Sequence, residues 1–231
     1  MFFQVKELCS GYGAIGIVMD VSLSVDKGDI CVILGRNGVG KTTLMKTLIG
    51  SLKVRAGEIR FEGRGMERMP THARARLGIA YVPQGRGIFS DLTVEENLRM
   101  GEGIGSGKPP YDEVFAYFPR LRERLRQKGG TLSGGEQSQL ALGRALIGNP
   151  RLALLDEPSE GVQPNIVDEM GEVLARLNRE TGLTIILVEQ NIEYALGIAT
   201  TCRIMAKGRL VEEVGKDELS DPETRRRHLA I

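Results

Sequence analysis

The glycine-rich segment 35–42 constrains the fold of this chain more than any other stretch. It is Gly-Arg-Asn-Gly-Val-Gly-Lys-Thr and matches the pattern G-x-x-x-x-G-K-[ST]. The apolar residues 30–34 before it predict a buried strand, and residues 42–49 after it predict a helix that ends at Gly50. A strand, a glycine loop and a helix in this order are typical of a P-loop, in which main-chain N–H groups and a helix N-terminus face a phosphate.

The P-loop predicts a nucleoside triphosphate site in which two side chains have distinct roles. We expect the Lys41 ammonium to contact the β- and γ-phosphates and the Thr42 hydroxyl to bind Mg²⁺. The other residues expected around the phosphates are Gly35, Arg36, Asn37, Gly38, Val39, Gly40 and Thr43. A glycine-rich turn with a surface lysine is the simpler interpretation, but the flanking strand and helix disfavour it.

Length, charge and cysteine usage limit the class of protein. The 231 residues suit one domain, and 31 basic against 30 acidic side chains show no electrostatic preference for nucleic acid or an anionic membrane. No apolar run approaches the roughly 20 residues that span a bilayer, and residues 1–5 soon meet Lys6 and Glu7, unlike a signal peptide. The three cysteines lack metal-ligand spacing, so a reducing cytosol is expected.

The order of apolar runs predicts an α/β fold. Strands are predicted at 30–34 and 78–82, and continuous apolar runs at 152–155 and 184–188 suggest parallel strands covered on both faces. Further strands are predicted at 2–8, 20–25, 57–61 and in a hairpin at 203–211, with a turn at 11–13. Helices are predicted at 94–98, 111–118, 121–128, 134–147 and 166–177. We therefore expect one domain over 1–231, with a core at 1–84 and 151–231 and a helical subdomain at 85–150.

Two acids at the end of an apolar strand form the second candidate motif. Asp156 and Glu157 directly follow the run 152–155. Placed beside the P-loop strand, Asp156 would hold Mg²⁺ through its water shell, and Glu157 could polarise the attacking water as general base. Two exposed acids at a strand end are the alternative, which the upstream P-loop disfavours.

The segment Leu-Ser-Gly-Gly-Glu-Gln at 132–137 is the third motif. Ser133 and Glu136 have capping-box spacing for the helix that follows, as Thr93 and Glu96 do for another. Capping does not explain the two glycines, each of which costs about 1 kcal/mol relative to alanine within a helix. They suggest that a phosphate approaches this helix end. Since the P-loop already binds a phosphate, this second helix end is expected to serve a nucleotide held by another subunit.

The order of these motifs resembles that of the ATP-binding subunit of ABC transporters. A P-loop, Gln84 after a strand, Leu-Ser-Gly-Gly-Glu and a strand ending in Asp-Glu follow one another along essentially the whole chain. The resemblance implies the ABC ATPase fold: a P-loop NTPase core with a RecA-like parallel sheet, an antiparallel β subdomain and an inserted helical subdomain. It implies ATP and Mg²⁺ as cofactors, Tyr12 stacking on adenine, and Gln84 contacting Mg²⁺ and the attacking water.

The resemblance also implies partners. Two such subunits dimerise head-to-tail, so ATP would lie between the P-loop of one and Ser133, Gly134, Gly135 and Glu136 of the other. Two integral-membrane permease subunits would dock near residues 85–91, and a solute-binding protein would act indirectly. The chain would then be peripheral, at the cytoplasmic face of the plasma membrane, with no nucleic acid partner.

Three segments narrow the resemblance to one subfamily. Residues 81–89, 160–164 and 187–191 are similar to one of the two ATPases of importers for branched-chain amino acids and for urea or short-chain amides. Segment 35–40 and the run 160–164 favour the urea or amide branch. The function implied is ATP hydrolysis that powers import of one of these solutes.

Two positions depart from the ABC pattern. Gln190 stands where a histidine is usual, and Gln163 stands where an aspartate is usual. A histidine can carry a positive charge near neutral pH, whereas an amide can only donate a neutral hydrogen bond. Gln190 would act with Glu157 and Gln84 in the chain's own site, and Gln163 would face the partner's site. A homodimer would carry both replacements in each of its two sites. A heterodimer with an ATPase that keeps both usual residues would carry one replacement per site and is therefore favoured.

Two other classes of protein share some of these motifs. ABC-type ATPases of DNA repair and chromosome maintenance carry a long coiled coil between the two halves, but the sequence between Lys41 and Ser133 has no sustained heptads. A nucleotide-binding regulator with little turnover is compatible with Gln190 and Gln163, although Glu157 disfavours it. The basic residues at 120–128 are interpreted as a solvated helix face, with contact to the membrane surface or the permease as the alternative. Those at 225–227 are interpreted as a solvated helix end.

Overall fold

A computed structural model describes residues 1–103 and 107–214, the last four as backbone only. The predicted helix end at 225–227, together with His228, lies outside these residues. In chain order the strands are β1 (Phe3–Tyr12), β2 (Ile15–Val25), β3 (Ile30–Leu34), β4 (Val54–Phe61), β5 (Arg64–Gly65), β6 (Ile79–Val82), β7 (Leu152–Asp156), β8 (Thr184–Glu189), β9 (Thr201–Ala206) and β10 (Arg209–Val214). The α-helices are α1 (Lys41–Ile49), α2 (Thr71–Arg76), α3 (Val94–Arg99), α4 (Tyr111–Tyr117), α5 (Pro119–Glu123), α6 (Gly134–Ile147), α7 (Pro164–Thr181) and α8 (Ile192–Ile198).

The strands form two sheets. The six-stranded sheet has the order β10-β9-β3-β8-β7-β6, and all its neighbours are parallel except β10, which is antiparallel to β9. The antiparallel sheet has the order β2-β1-β4-β5. The predicted α/β fold with a parallel sheet and an antiparallel β subdomain is therefore confirmed.

The parallel sheet is buried on both faces, as its continuous apolar strands predict. Along β3, Ile30, Val32 and Leu34 belong to the hydrophobic core that also contains residues of helices α3 to α8. Cys31 and Ile33 belong to the second core, which contains residues of α1 and of the antiparallel sheet. The side chains of one strand alternate between two cores because successive Cβ atoms point to opposite faces. No helix among the described residues has the length and apolar content needed to cross a bilayer.

The position predicted for β7 is wrong in one respect. The sequence placed Asp156 beside the P-loop strand, but β8 lies between β3 and β7. The two motifs still meet because β3, β8 and β7 are parallel and end at the same edge of the sheet. Helix α1, which follows the P-loop, contacts β7 as well as β8.

Two local predictions are also corrected. Strand β1 continues through Tyr12, so the turn is at residues 13–14, where Arg55 donates to the main-chain oxygens of Gly13 (2.8 Å) and Ile15 (2.9 Å). Helix α5 begins at Pro119 and ends at Glu123, not at 128. The following residues leave the helix because the main-chain oxygens of Leu125 and Gln127 accept hydrogen bonds from the start of α3.

Candidate nucleotide-binding site

The P-loop connects β3 to α1 as predicted. Gly40 precedes the helix with a left-handed φ of 112°, a conformation that glycine adopts readily. Lys41 is 4% exposed, and its ammonium donates to the main-chain oxygens of Gly35 (2.6 Å) and Arg36 (3.0 Å). It also forms an ion pair with Glu157 Oε1 at 2.8 Å. A phosphate that binds Lys41 must therefore compete with Glu157 for the ammonium.

The three predicted magnesium ligands converge on one point. Thr42 Oγ1 lies 3.0 Å from Asp156 Oδ1 and 3.3 Å from Gln84 Oε1. One carboxylate, one hydroxyl and one amide oxygen are hard oxygen donors of the kind that Mg²⁺ prefers, usually with several waters retained. The chemistry of this donor set therefore fits Mg²⁺. Among the described residues, no cluster of three or more His, Cys, Asp or Glu side chains offers a different metal site.

Tyr81 fixes the orientation of Asp156 and was not predicted from the sequence. Its hydroxyl donates to Asp156 Oδ2 at 3.0 Å, which leaves Oδ1 facing Thr42. Burial raises the pKa of Asp156, although the hydrogen bonds from Tyr81 and Thr42 oppose that shift. Burial, together with the charge of Asp156, also raises the pKa of the Tyr81 hydroxyl, which therefore stays a donor.

Glu157 lies directly after Asp156 in a constrained conformation. Its φ is 48°, a left-handed value that costs a non-glycine residue of order 1–3 kcal/mol. Its N–H donates to the Val188 oxygen at 3.0 Å, and its Oε2 accepts from Gln84 Nε2 at 3.1 Å. The same amide nitrogen donates to Glu160 Oε2 at 2.9 Å. Gln84 thus touches both the proposed metal ligand Thr42 and the proposed base.

Of these residues, Lys41, Thr42, Gln84 and Glu157 line one cavity of about 290 Å³, whereas Asp156 and Tyr81 lie outside its lining. Its lining residues are Ile17, Asn37, Gly38, Gly40, Lys41, Thr42, Thr43, Gln84 and Glu157. Ile17 of β2 was not predicted from the sequence, because only the fold places this strand over the P-loop. Tyr12 is 47% exposed and is not among the lining residues, so its stacking on adenine stays a prediction.

The capping box at the start of α6 is confirmed. Ser133 N and Oγ donate to Glu136 Oε2 at 2.9 Å and 2.8 Å, and Glu136 N donates back to the Ser133 hydroxyl at 3.4 Å. Burial alone would raise the pKa of Glu136, but the bonds from Ser133 and the charge of Arg124, 2.9 Å away, bring that pKa below its usual value. Glu136 therefore stays charged and keeps the helix end fixed.

The glycines of this motif have an explanation within the chain. A Cβ on Gly135 would lie 2.6 Å from Ile166 Cγ2, and a Cβ on Gly134 would lie 2.9 Å from Arg86 Nη2. The close approach that the sequence attributed to a phosphate is thus made by α7 and by Arg86. Phosphate binding by Ser133, Gly134, Gly135 and Glu136 stays a prediction, and Ser133 itself is exposed.

Arg86 connects the Gln84 loop to two other parts of the site. Its guanidinium donates to Ser138 Oγ (3.1 Å) and Gln137 Oε1 (2.9 Å) on α6, and to the Gly161 oxygen (3.1 Å) in the loop after Glu157. The sequence shows a basic residue after Gln84, but nothing in it identifies these partners.

The two departures from the ABC pattern lie in the loops that follow β7 and β8. Gln163 is exposed and directly precedes α7, without a side-chain bond that caps the helix. Gln190 is exposed and directly follows β8. Neither residue lines the cavity around the P-loop, so the catalytic role of Gln190 stays a prediction.

Comparisons with known proteins show the family and the fold of the chain. Residues 18–160 match the protein family described as ABC transporter. The chain is 46% identical to the high-affinity branched-chain amino acid transport ATP-binding protein BraG of Pseudomonas aeruginosa, over 94% of this chain and 95% of the relative. It is 36% identical to the probable branched-chain amino acid transport ATP-binding protein LivF of Archaeoglobus fulgidus, over 94% and 93%. The ADP conformation of an ATP-binding cassette of an ABC transporter superposes with a TM-score of 0.83 at 26% identity, covering 96% of each chain.

Proposed function

This chain belongs to the ABC transporter family of ATP-binding proteins, and we propose that it is the ATP-hydrolysing subunit of an importer for branched-chain amino acids. The observation that carries the proposal is the convergence of Lys41, Thr42, Gln84, Asp156 and Glu157 at one end of the parallel sheet. A phosphate counter-charge, oxygen ligands for Mg²⁺ and a candidate base are all needed for hydrolysis of a bound triphosphate.

Each residue has a role that follows from its contacts. The phosphates lie along the P-loop residues 35–43 and are held by the main-chain N–H groups that follow Gly35, whose own N–H donates to the Glu189 oxygen. Lys41 exchanges its ion pair with Glu157 for the β- and γ-phosphates. Thr42, Gln84 and Asp156 would hold Mg²⁺, with Tyr81 keeping the Asp156 carboxylate in place. When bound, Mg²⁺ neutralises charge that develops on the phosphate oxygens.

Glu157 is the general base in this proposal. Release from Lys41 frees Oε1 of its carboxylate for the attacking water, while the Gln84 amide holds Oε2 in place. Gln190 donates a neutral hydrogen bond to the γ-phosphate, and Tyr12 stacks on the adenine. We also propose that residues 85–150 form the helical subdomain and that residues 1–84 and 151–231 form the core.

The proposed partners follow from the exposed Ser133 in segment 132–137, the signature motif. Ser133 is exposed at the start of α6 and is not among the residues that line the cavity around Lys41. It would therefore contact a nucleotide bound by a second ATP-binding subunit. Because Gln190 serves this chain's site and Gln163 the partner's, a heterodimer with unequal sites is favoured over a homodimer. Two permease subunits would hold the dimer at the cytoplasmic face of the membrane, with a solute-binding protein delivering substrate.

The substrate assignment follows the relatives. The sequence alone favoured urea or short-chain amides, whereas BraG and LivF are both described as branched-chain amino acid transport proteins. Their similarity over more than nine-tenths of the chain supports branched-chain amino acids as substrate, with urea or an amide as the alternative. It also disfavours a role in chromosome maintenance or in regulation without turnover.

A disruption strain tests the substrate. We expect disruption of this chain to abolish high-affinity uptake of labelled leucine and to leave uptake of labelled urea unchanged. The wild-type chain should restore leucine uptake, whereas Glu157→Gln should not. Loss of urea uptake with leucine uptake intact would instead assign the importer to the urea branch.

A further inference from the structure

Glu189 is a buried acid that the proposed reaction does not use. It is the last residue of β8 and is 2% exposed. Its carboxylate accepts three main-chain N–H groups: Ser159 on Oε1 (3.1 Å), and Gln190 (2.9 Å) and Asn191 (3.2 Å) on Oε2. Its main-chain oxygen accepts from the N–H of Gly35, the first P-loop glycine, at 3.2 Å.

The three bonds join the loop after β7 to the loop after β8. Ser159 lies two residues after the proposed base Glu157, in the loop that leads to Gln163 and α7. Gln190 lies in the loop after β8. Hydrogen bonds to a charged group stabilise a fold more than neutral ones. The Glu189 side chain is therefore a strong and specific connection between the two loops.

The arrangement requires a carboxylate. An ionised carboxylate only accepts hydrogen bonds, whereas a glutamine side chain has one accepting oxygen and one NH₂ donor. Because N–H groups face both Oε1 and Oε2 of Glu189, either orientation of a glutamine amide would place its NH₂ against at least one main-chain donor. Glu189→Gln is thus a nearly isosteric change that breaks the connection.

We propose that Glu189 is a positioning residue that fixes the loop carrying Glu157 to the loop carrying Gln190. It touches neither phosphate nor water in this role. Its catalytic effect rests on the proposed function, since it depends on Glu157 and Gln190 acting on the same bound triphosphate. Its structural effect can be measured without any turnover.

Amide hydrogen exchange of the purified chain tests the connection directly. In Glu189→Gln we expect the amides of Ser159, Gln190 and Asn191 to exchange about tenfold faster or more, because each loses or weakens a bond to a charged acceptor. The Gly35 amide is the internal control, since its acceptor is the main-chain oxygen of residue 189 and remains. Wild-type exchange rates at all three amides would overturn the proposal. So would equally faster exchange at Gly35, which would indicate a general loss of stability.

Kinetics of the assembled transporter test the consequence. We expect Glu189→Gln to lower kcat for ATP by about tenfold or more and to change KM by less than about twofold, because the P-loop contacts remain. Glu172→Gln makes the same chemical change at an exposed position of α7 and should leave both unchanged. An unchanged kcat contradicts a positioning role for Glu189, and so does a rise in KM that accounts for the whole loss of kcat/KM.

Absence of turnover in the wild-type transporter would instead reject the proposed function, and the exchange experiment would still decide the role of Glu189. If Glu189→Gln does not fold, Glu189→Asp takes its place in both assays. It keeps the carboxylate but shortens the side chain, and we expect the Ser159 amide to exchange faster in this variant.

Discussion

Replacing Glu157 with glutamine is expected to lower ATP turnover of the assembled transporter by about 10²–10⁴-fold, the usual contribution of a general base. Glutamine has nearly the shape of glutamate, so the hydrogen bond from residue 157 to Val188 and the fold around it should persist. Nucleotide affinity should stay the same or increase, because the variant removes the carboxylate that pairs with Lys41 at 2.8 Å. Steady-state ATPase assays and calorimetric titration with Mg²⁺-ATP measure the two effects.

Glu172→Gln again serves as the matched control, since it removes one negative charge from the exposed face of α7. It should leave turnover and affinity at the wild-type values. Turnover of Glu157→Gln within about threefold of wild type would reject Glu157 as the base. A clear loss of nucleotide affinity would reject the competition between Glu157 and phosphate for Lys41.

Replacing Lys41 with alanine should weaken binding of Mg²⁺-ATP by about 10- to 100-fold, the range expected for loss of a hydrogen-bonded charge on a phosphate. Two effects act in the same direction. The phosphates lose their counter-charge, and Glu157 loses the cation that neutralises it, so its carboxylate repels the incoming phosphates. Binding should be measured on the purified chain by calorimetry. An unchanged affinity would reject the P-loop assignment.

The double variant Lys41→Ala with Glu157→Gln separates these two effects. Because it also removes the repelling carboxylate, it should bind Mg²⁺-ATP more tightly than Lys41→Ala alone. Equal affinity of the single and double variants would show that Glu157 does not influence phosphate binding.

Local sequence patterns predicted the parts of the fold that depend on neighbouring residues. The P-loop followed by α1, the capping boxes at Thr93 and Ser133, and the buried parallel strands are all present. Glycine spacing, capping-box spacing and continuous apolar runs each reflect a local physical requirement. The predicted end of α5 was wrong because the residues after it accept main-chain hydrogen bonds from α3, a segment distant in sequence.

The side chains that organise the site could not be found in this way. Tyr81 and Glu189 act through hydrogen bonds to Asp156 and to the main chain of Ser159, which are far from them in sequence. Ile17 lies over the P-loop only because β2 belongs to a second sheet. The glycines of the signature motif were correctly seen as positions of close approach, but Ile166 and Arg86 are the neighbours that make it.

The central claim is that this chain hydrolyses ATP at a site that a second ATP-binding subunit completes. ATP turnover per chain tests it most directly, measured over nanomolar to micromolar protein, alone and with the partner ATPase and permeases. The account predicts low turnover for the chain alone, rising steeply with concentration, and a large increase when the partners are added. Full turnover at nanomolar concentration, independent of both concentration and partners, would contradict it.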